Sequence, residues 1–468
     1  MTSAAFTVDA SSALSGPGWL RRRRAEAAER FSAQALPSEA EEIWRYSGID
    51  RFDLDAFSPS SPSATPDVAF ARSLAEPFGA RSALVVTSNG AVVAHETSPA
   101  VADGQLTVSP LLVAAEAPAT LGTLAPAGDA FASLHDAFVA DVVSVTVAAK
   151  VVLAEPVVVV HLVERPDPSS PAAAFPHLLL RVGTSASATV VEMIATSPTP
   201  SSIPPSSIPP SMSPSSTPSA VLVVPVAELE IDDDARLAYA NLQMLDHGCT
   251  EVAVQASRVG RDATLRSFTV GLGGRYARVR TDSDLAGTGG RSSLLAAYLG
   301  TDDQIHDFRT LQDHHAPRTE SELLFTGAVA DEARSVYSGL IHIRNGARGA
   351  NAFQTNHNLV LSEGAHADSV PNLDIEENDV RCSHASTVGP IDDEQRYYLE
   401  SRGIDPAVAE RLIVLGFFSD ITARAPLPGV SELVDAALRQ RLSGRLPAER
   451  LDGATTGALA DAPGTSDG

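Results

Sequence analysis

Asp234-Ala235-Arg236-Leu237 and Asp262-Ala263-Thr264-Leu265 are two copies of one short phrase: an acidic turn residue, an alanine and the start of an extended run. Their alanines are 28 residues apart. Looser versions follow at Glu332-Ala333-Arg334-Ser335-Val336, Gly346-Ala347-Arg348 and Gly364-Ala365-His366-Ala367, where Ala347 and Ala365 are only 18 apart. Short strands, tight corners and loose repetition over roughly 250 residues argue for stacked coils, a β-helix or β-solenoid, over a β-sandwich, which has fewer strands.

Upstream of this phrase the texture is the same. Val142–Val147, Val151–Leu153, Val157–Val163, Leu178–Val182, Thr189–Ile194 and Val221–Ile231 are β-branched runs between turn signals. Ser197 to Ser219 is a Pro/Ser tract too poor in apolar groups to pack, and reads as a disordered insertion between two strands. Nearer the start, Trp19–Ala33 and Ala130–Ala140 have helical composition, and Glu39–Tyr46 reads as a short helix. Trp44 and Tyr46 are expected to pack. Downstream, the pattern turns helical at Asp392. Asp392–Ser401 ends before Gly403, and Asp405-Pro406 caps a second helix carrying Val408, Leu412 and Leu415. Ser431–Leu442 is a third, with Val434, Leu438 and Leu442 on one stripe. The expected organisation is an N-terminal helical or mixed domain over 1–140, a β-helix core over 141–390 interrupted at 197–219, a C-terminal helical domain over 391–446, and a disordered tail over 447–468.

Composition narrows the chemistry. At 468 residues, with 44% hydrophobic and 20% charged residues, the chain is of globular type. A net charge of −24 excludes the electrostatic footprint of a nucleic-acid or anionic-lipid binder. Lys150 is the only lysine and follows Ala149, so there is no G-K-[ST] phosphate loop; it lies in an apolar, strand-like run. Two cysteines, Cys249 and Cys382, make no disulfide framework and fit a reducing cytoplasm. No secretory leader is read in Met1 to Ala35, and no apolar window reaches the ~18 residues of a membrane span.

Cys382 and His384 stand at i and i+2, so on a strand they face the same side. Thiolate and imidazole suit zinc or Fe–S iron, but a closed zinc site takes four ligands and a cluster usually four thiolates. One Cys and one His make only part of a set, and a cluster would have to be shared with a second protein. His306, His314 and His315, with Asp307 and Asp313, form a second cluster whose groups could bind metal or shuttle protons, but which reads first as polar residues on one exposed edge. Asp374, Glu376 and Glu377 would suit the acidic groove of a polysaccharide-active β-helix, the rival from the enzyme class.

The stretch D-V-R-C-S-H-A-S-T-V-G-P-I-D-D-E-Q-R-Y-Y-L-E-S-R-G-I (Asp379 to Ile404) resembles the signature of the SufB/SufD family of iron–sulfur cluster assembly proteins. Its C-S-H…T-V-G run is like the SufD branch. N-A-F-Q-T-N-H-N-L-V-L-S (Asn351 to Ser362), G-L-G-G-R (Gly271 to Arg275) and the Pro17-to-Tyr46 segment ending in W-R-Y extend the likeness. The resemblance implies a mainly β fold: a central right-handed β-helix between N-terminal and C-terminal helical domains. It implies a non-catalytic cytoplasmic scaffold that forms a heterodimer with a SufB-like protein through the β-helix, and binds a SufC-like ATPase through the C-terminal helices, at Val408, Leu412, Leu415, Val434 and Leu438. His384, with Cys382 in support, would be a ligand of a transient Fe–S cluster at the partner interface. The complex is also expected to bind reduced flavin, with no residue here assigned to it. A purely structural partner without a ligand role is the third reading.

Overall fold

The computed structural model describes residues 5–125, 128–164, 171–197 and 220–443. The expected insertion at 197–219 and the tail beyond 446 therefore lie, but for Ser197, outside the described residues. The helices are α1 (Val8–Ser12), α2 (Gly18–Ala33), α3 (Val68–Ala75), α4 (Ala130–Phe138), α5 (Asp393–Ser401), α6 (Pro406–Thr422) and α7 (Pro428–Ser443). Glu42–Trp44 is a single 3₁₀ turn. The last helix starts at Pro428, three residues before the expected Ser431, because proline's fixed φ suits the first turn.

The strands that open the chain are β1 (Ser58–Pro59), β2 (Ala83–Ser88), β3 (Ala91–Thr97) and β4 (Leu106–Pro110). The first coils use β5 (Val143–Val147), β6 (Val157–Val163), β7 (Ala172–Ala174), β8 (His177–Val182) and β9 (Ser187–Thr196). Then come β10 (Val221–Val223), β11 (Val226–Ile231), β12 (Arg236–Met244), β13 (Cys249–Val259), β14 (Thr264–Gly271), β15 (Tyr276–Leu285) and β16 (Arg291–Gly300). The last coils use β17 (Ile305–His314), β18 (Glu320–Val329), β19 (Arg334–Ile343), β20 (Asn351–Val360), β21 (His366–Ile375) and β22 (Arg381–Gly389).

These strands make a β-solenoid of about seven turns. Successive strands of the coils alternate between two parallel sheets, β5-β8-β11-β13-β15-β17-β19-β21 and β2-β6-β9-β12-β14-β16-β18-β20-β22. Along the second sheet the register advances by 28, 27, 29, 31 and 30 residues from Arg236 to Arg381. The 28-residue alanine spacing is thus one full coil, and the 18-residue spacing runs from one corner to the opposite one. At the N-terminal end β3 pairs antiparallel with β2 and β4 with β5, one in each sheet, and they cap it. The solenoid's sheets therefore begin before residue 141.

One corner is built from stacked residues with left-handed backbone: Lys150, Ser185, Asp234, Asp262, Gly289, Arg318 and Gly349. Each donates its N–H to the coil above, to the carbonyls of Thr184, Asp233, Arg261, Thr288, Pro317, Arg348 and Asp379, at 2.7–3.0 Å. This ladder satisfies groups that a tight turn would otherwise leave unpaired, and offsets the strain of left-handed non-glycine residues. Lys150 is thus an exposed corner residue and not part of an apolar strand. Ala235 and Ala263 follow the left-handed residue and turn fully inward, where only a small side chain fits the bend.

Both sheet faces are covered over most of the length, which is why β6 reads V-V-V-V-H-L-V without alternation. The interior packs Leu229, Leu237, Tyr239, Tyr298, Phe308, Phe325 and Tyr337. The outer face of the second sheet is covered by α3, α6 and α7 through Leu74, Val414, Phe418, Val434 and Leu438. The outer face of the first sheet carries the N-terminal helices. Trp44 is buried there beneath Arg278, whose guanidinium lies 3.7 Å from the ring centroid. Arg278 and Arg309 both pair with buried Asp307 and donate to the Ile43 and Arg45 carbonyls at 2.8 and 2.7 Å. Trp44 packs as expected; Tyr46 does not, being exposed with φ of +67°. Among the described residues no helix is long and apolar enough to cross a membrane.

Candidate functional site at the open end of the solenoid

The C-terminal end of the solenoid has no cap among the described residues. β21 and β22 are the terminal strands of the two sheets, each paired on one side only. Phe353, Val370, Leu373, Ile375 and Val388 are exposed around this end. The two edges differ. Arg381 N–H bonds back to Ala350 O at 2.9 Å. Successive residues of a strand direct their backbone groups to opposite sides, so Cys382, His384, Ser386 and Val388 offer theirs to the open side. On β21, His366 N–H bonds back to Ala333 O, so the open-side positions include Pro371, which has no N–H. β22 is the edge left free to pair; β21 is blunted.

Cys382 and His384 both lie on β22, in register with Ala352 and Gln354, in the column that faces the solenoid interior. They are neighbours on one face, as their spacing requires. Cys382 is half-buried against Ile341, Ile343, Ala347, Ala350 and Ala352, and burial pushes its thiol pKa up. His384 is exposed, because no further coil covers it. Cys249 is four coils away at the opposite corner, buried among Val163, Ile194, Val221, Val223 and Leu245. Among the described residues no group of three or more His, Cys, Asp or Glu could hold a metal. Cys382 and His384 therefore fit part of a ligand set and no more.

The second histidine cluster does not exist as one surface, and the single exposed edge expected for it is corrected. Strand alternation turns His306 and His314 into the interior and Asp307 and Asp313 outward. Burial lowers His306 to about 3 and His314 to about 4. His314 bridges the hydroxyls of Thr319 and Ser321 at 2.7 and 2.8 Å. His315 is exposed and pairs with Asp284. Asp374 and Glu376 flank His342 on the outer face of the first sheet, at 3.8 and 3.6 Å.

Beneath His384 the interior is polar, which sequence reading missed. Gln354, Asn356 and Asn358 alternate on β20 and are 1–2% exposed. Asn358 donates to Asn356 at 2.7 Å, and Tyr298 Oη donates to Asn358 at 2.6 Å. The signal was available in N-A-F-Q-T-N-H-N: amides at every second position where a solenoid would ordinarily turn apolar groups inward.

The C-terminal helices follow directly. α5 has no buried residue and exposes Tyr397 and Tyr398. Val434 and Leu438 are fully buried against the sheet, so they belong to the chain's own core. Val408 and Leu415 are half-buried, and Leu412 is exposed. A cleft of about 430 Å³ between α5, α6 and the solenoid rim is lined by Leu359, Pro390, Gln395, Ile413 and Phe417.

Residues 165–417, more than half of the chain, match the family model described as SUF system FeS cluster assembly, SufBD core domain. The chain is 40% identical over 223 residues to an iron–sulfur cluster assembly SufBD family protein of Mycobacterium tuberculosis, covering 46% of this chain and 56% of that one. It is 34% identical over 186 residues to the iron–sulfur cluster assembly protein SufD of Escherichia coli, covering 40% and 44%. The corresponding protein of Bacillus subtilis is 32% identical over 219 residues, covering 46% and 50%. The chain spans about half the length of the relatives it matches.

Proposed function

This chain belongs to the SUF-system Fe–S cluster assembly family built on the SufBD core domain, most like SufD, and from that footing we propose that it is a non-catalytic scaffold subunit contributing half of a cluster-building site. The observation that carries the reading is the coincidence of His384 and Cys382 with the free β22 edge. Two candidate ligands are too few for a cluster, and they stand where a second solenoid can add a strand and supply the rest. The partner is a SufB-like chain. The nascent cluster is cargo held between the two proteins. A SufC-like ATPase binds the C-terminal helices through exposed groups such as Leu412 and through α5. Its hydrolysis cycle shifts the helices, and with them the seam that holds the cargo. The setting is the cytoplasm.

The test is anaerobic reconstitution of the chain with its SufB-like and SufC-like partners, Fe²⁺ and sulfide. His384→Ala is expected to leave the complex assembled and to cut retained iron by about tenfold or more, since removing a ligand costs at least as much as removing an outer-shell partner of one. Cys382→Ser is expected to have the smaller effect, since its side chain is half-buried against Ile341, Ile343 and Ala352 whereas His384 is exposed at the edge. Unchanged iron in both variants, with the complex intact, would leave this chain a purely structural partner.

A further inference from the structure

Gln354 lies one strand beneath His384 in the same inward column, about 4.8 Å away across the ladder. It is 1% exposed, and neither its Oε1 nor its Nε2 has a hydrogen-bond partner. A buried carboxamide orphaned at both ends is costly, and its neighbours are arranged to keep it there. Gly339 faces it from the opposite sheet; a Cβ at that position would collide with Tyr337 Oη and come within 2.7 Å of Gln354 Oε1. The glycine therefore leaves the space in which these two polar groups converge. Tyr337 Oη lies 3.1 Å from Thr310 Oγ1.

We infer that Gln354 is a positioning residue for His384 when the cargo is bound. A histidine that binds metal through one ring nitrogen needs an acceptor for the N–H of the other, and that acceptor sets the tautomer and ring orientation. Gln354 carries the orphaned acceptor on the strand below; turning its carboxamide by half a turn presents Oε1 to His384 and puts Nε2 in the place beside Gly339 and Tyr337 that Oε1 now holds. With its oxygen engaged by His384, the Gln354 Nε2–H donates to Tyr337 Oη, whose own proton goes to Thr310 Oγ1. One chain, His384 to Gln354 to Tyr337 to Thr310, then satisfies both orphaned atoms. The role rests on the half-site reading of His384, and concerns how that ligand is held rather than whether it binds.

The experiment uses the full complex, reconstituted with Fe²⁺ and sulfide, and compares His384→Ala, Gln354→Leu and Gln354→Glu. Readouts are retained iron, the Mössbauer spectrum and the melting temperature of the iron-free protein. Gln354→Leu is expected to weaken iron retention about tenfold and to broaden the spectrum of the histidine-bound iron. Its melting temperature should be no lower than that of the parent, since an apolar side chain of similar size removes two unpaired polar atoms. Gln354→Glu keeps the acceptor oxygen and should restore retention. Normal iron retention in Gln354→Leu, with loss in His384→Ala, overturns the positioning role and leaves the half-site standing. Normal retention in all three overturns the half-site as well. Iron loss in Gln354→Leu with a lowered melting temperature and no rescue by Gln354→Glu reduces Gln354 to packing and overturns the inference.

Discussion

Glu251 sits inside the solenoid with its carboxyl group fully enclosed, and burial pushes its pKa up to about 8. The Gln243 side chain works against that shift, and the charge of Glu192 adds to it. The folded protein holds this proton until about pH 8, whereas the unfolded chain releases it near 4.5. Its contribution to stability is therefore complete below the unfolded value and lost as pH rises toward 8. Glu251→Gln cannot ionise. Its advantage over the parent should be small at pH 5 and grow toward pH 8 by up to about 1.4 kcal/mol per pH unit, as measured by denaturant titration at pH 5, 6.5 and 8. An advantage that is flat with pH would mean the carboxyl titrates at its ordinary value. His306 acts in the opposite direction: it is held neutral to about 3, so its contribution is lost as pH falls from 6.5. Neither behaviour was legible in the sequence. Alternation shows that a residue faces inward, but desolvation depends on the coils stacked above and below it.

At the scale of elements, the C-terminal helices have a buried face and an exposed face. α7 presses Val434, Ala437 and Leu438 into the cluster on the outer face of the second sheet, with Val414 and Phe418 of α6 beside them. The i, i+4 stripe read from the sequence is real, but its apolar groups cover this chain's own sheet. Leu438→Ala is expected to destabilise the protein by about 2–5 kcal/mol, as for a deleted core leucine. Leu412→Ala, on the exposed face of α6, should change stability by no more than about 0.5 kcal/mol, yet weaken co-purification of the ATPase partner. Equal stability losses in the two variants would mean that Leu412 is part of the core. A helical stripe alone cannot tell a partner's surface from the chain's own, because both exclude water through the same apolar periodicity.

At the scale of the whole molecule, the two ends of the solenoid are treated differently. The N-terminal end is finished by antiparallel β3 and β4, while the C-terminal end stops at a free strand. An unpaired parallel edge of nine residues is an aggregation hazard unless something covers it. Ser386→Pro removes one open-side N–H from β22 without touching a bond to β20. It should abolish assembly with the solenoid partner while shifting the melting temperature of the isolated chain little, read by size-exclusion chromatography and calorimetry. Normal assembly of this variant would show that the partner docks elsewhere.

What the sequence determined by itself was periodicity and chemistry: a coil of about 28 residues, corners marked by Asp or Gly before Ala, a helical finish from Asp392, and a Cys–His pair too small to hold a cluster alone. These follow from local rules, since backbone conformation and side-chain alternation depend on near neighbours. The tertiary structure decided which strand is last, and so which ligand candidate is exposed. It also pressed Val434 and Leu438 against the chain's own sheet, and brought Gly339, Tyr337 and Gln354 together beneath His384. Those relations join residues about one coil apart in sequence or in opposite sheets. They arise only when stacking closes the interior and removes the water that would otherwise satisfy a buried amide.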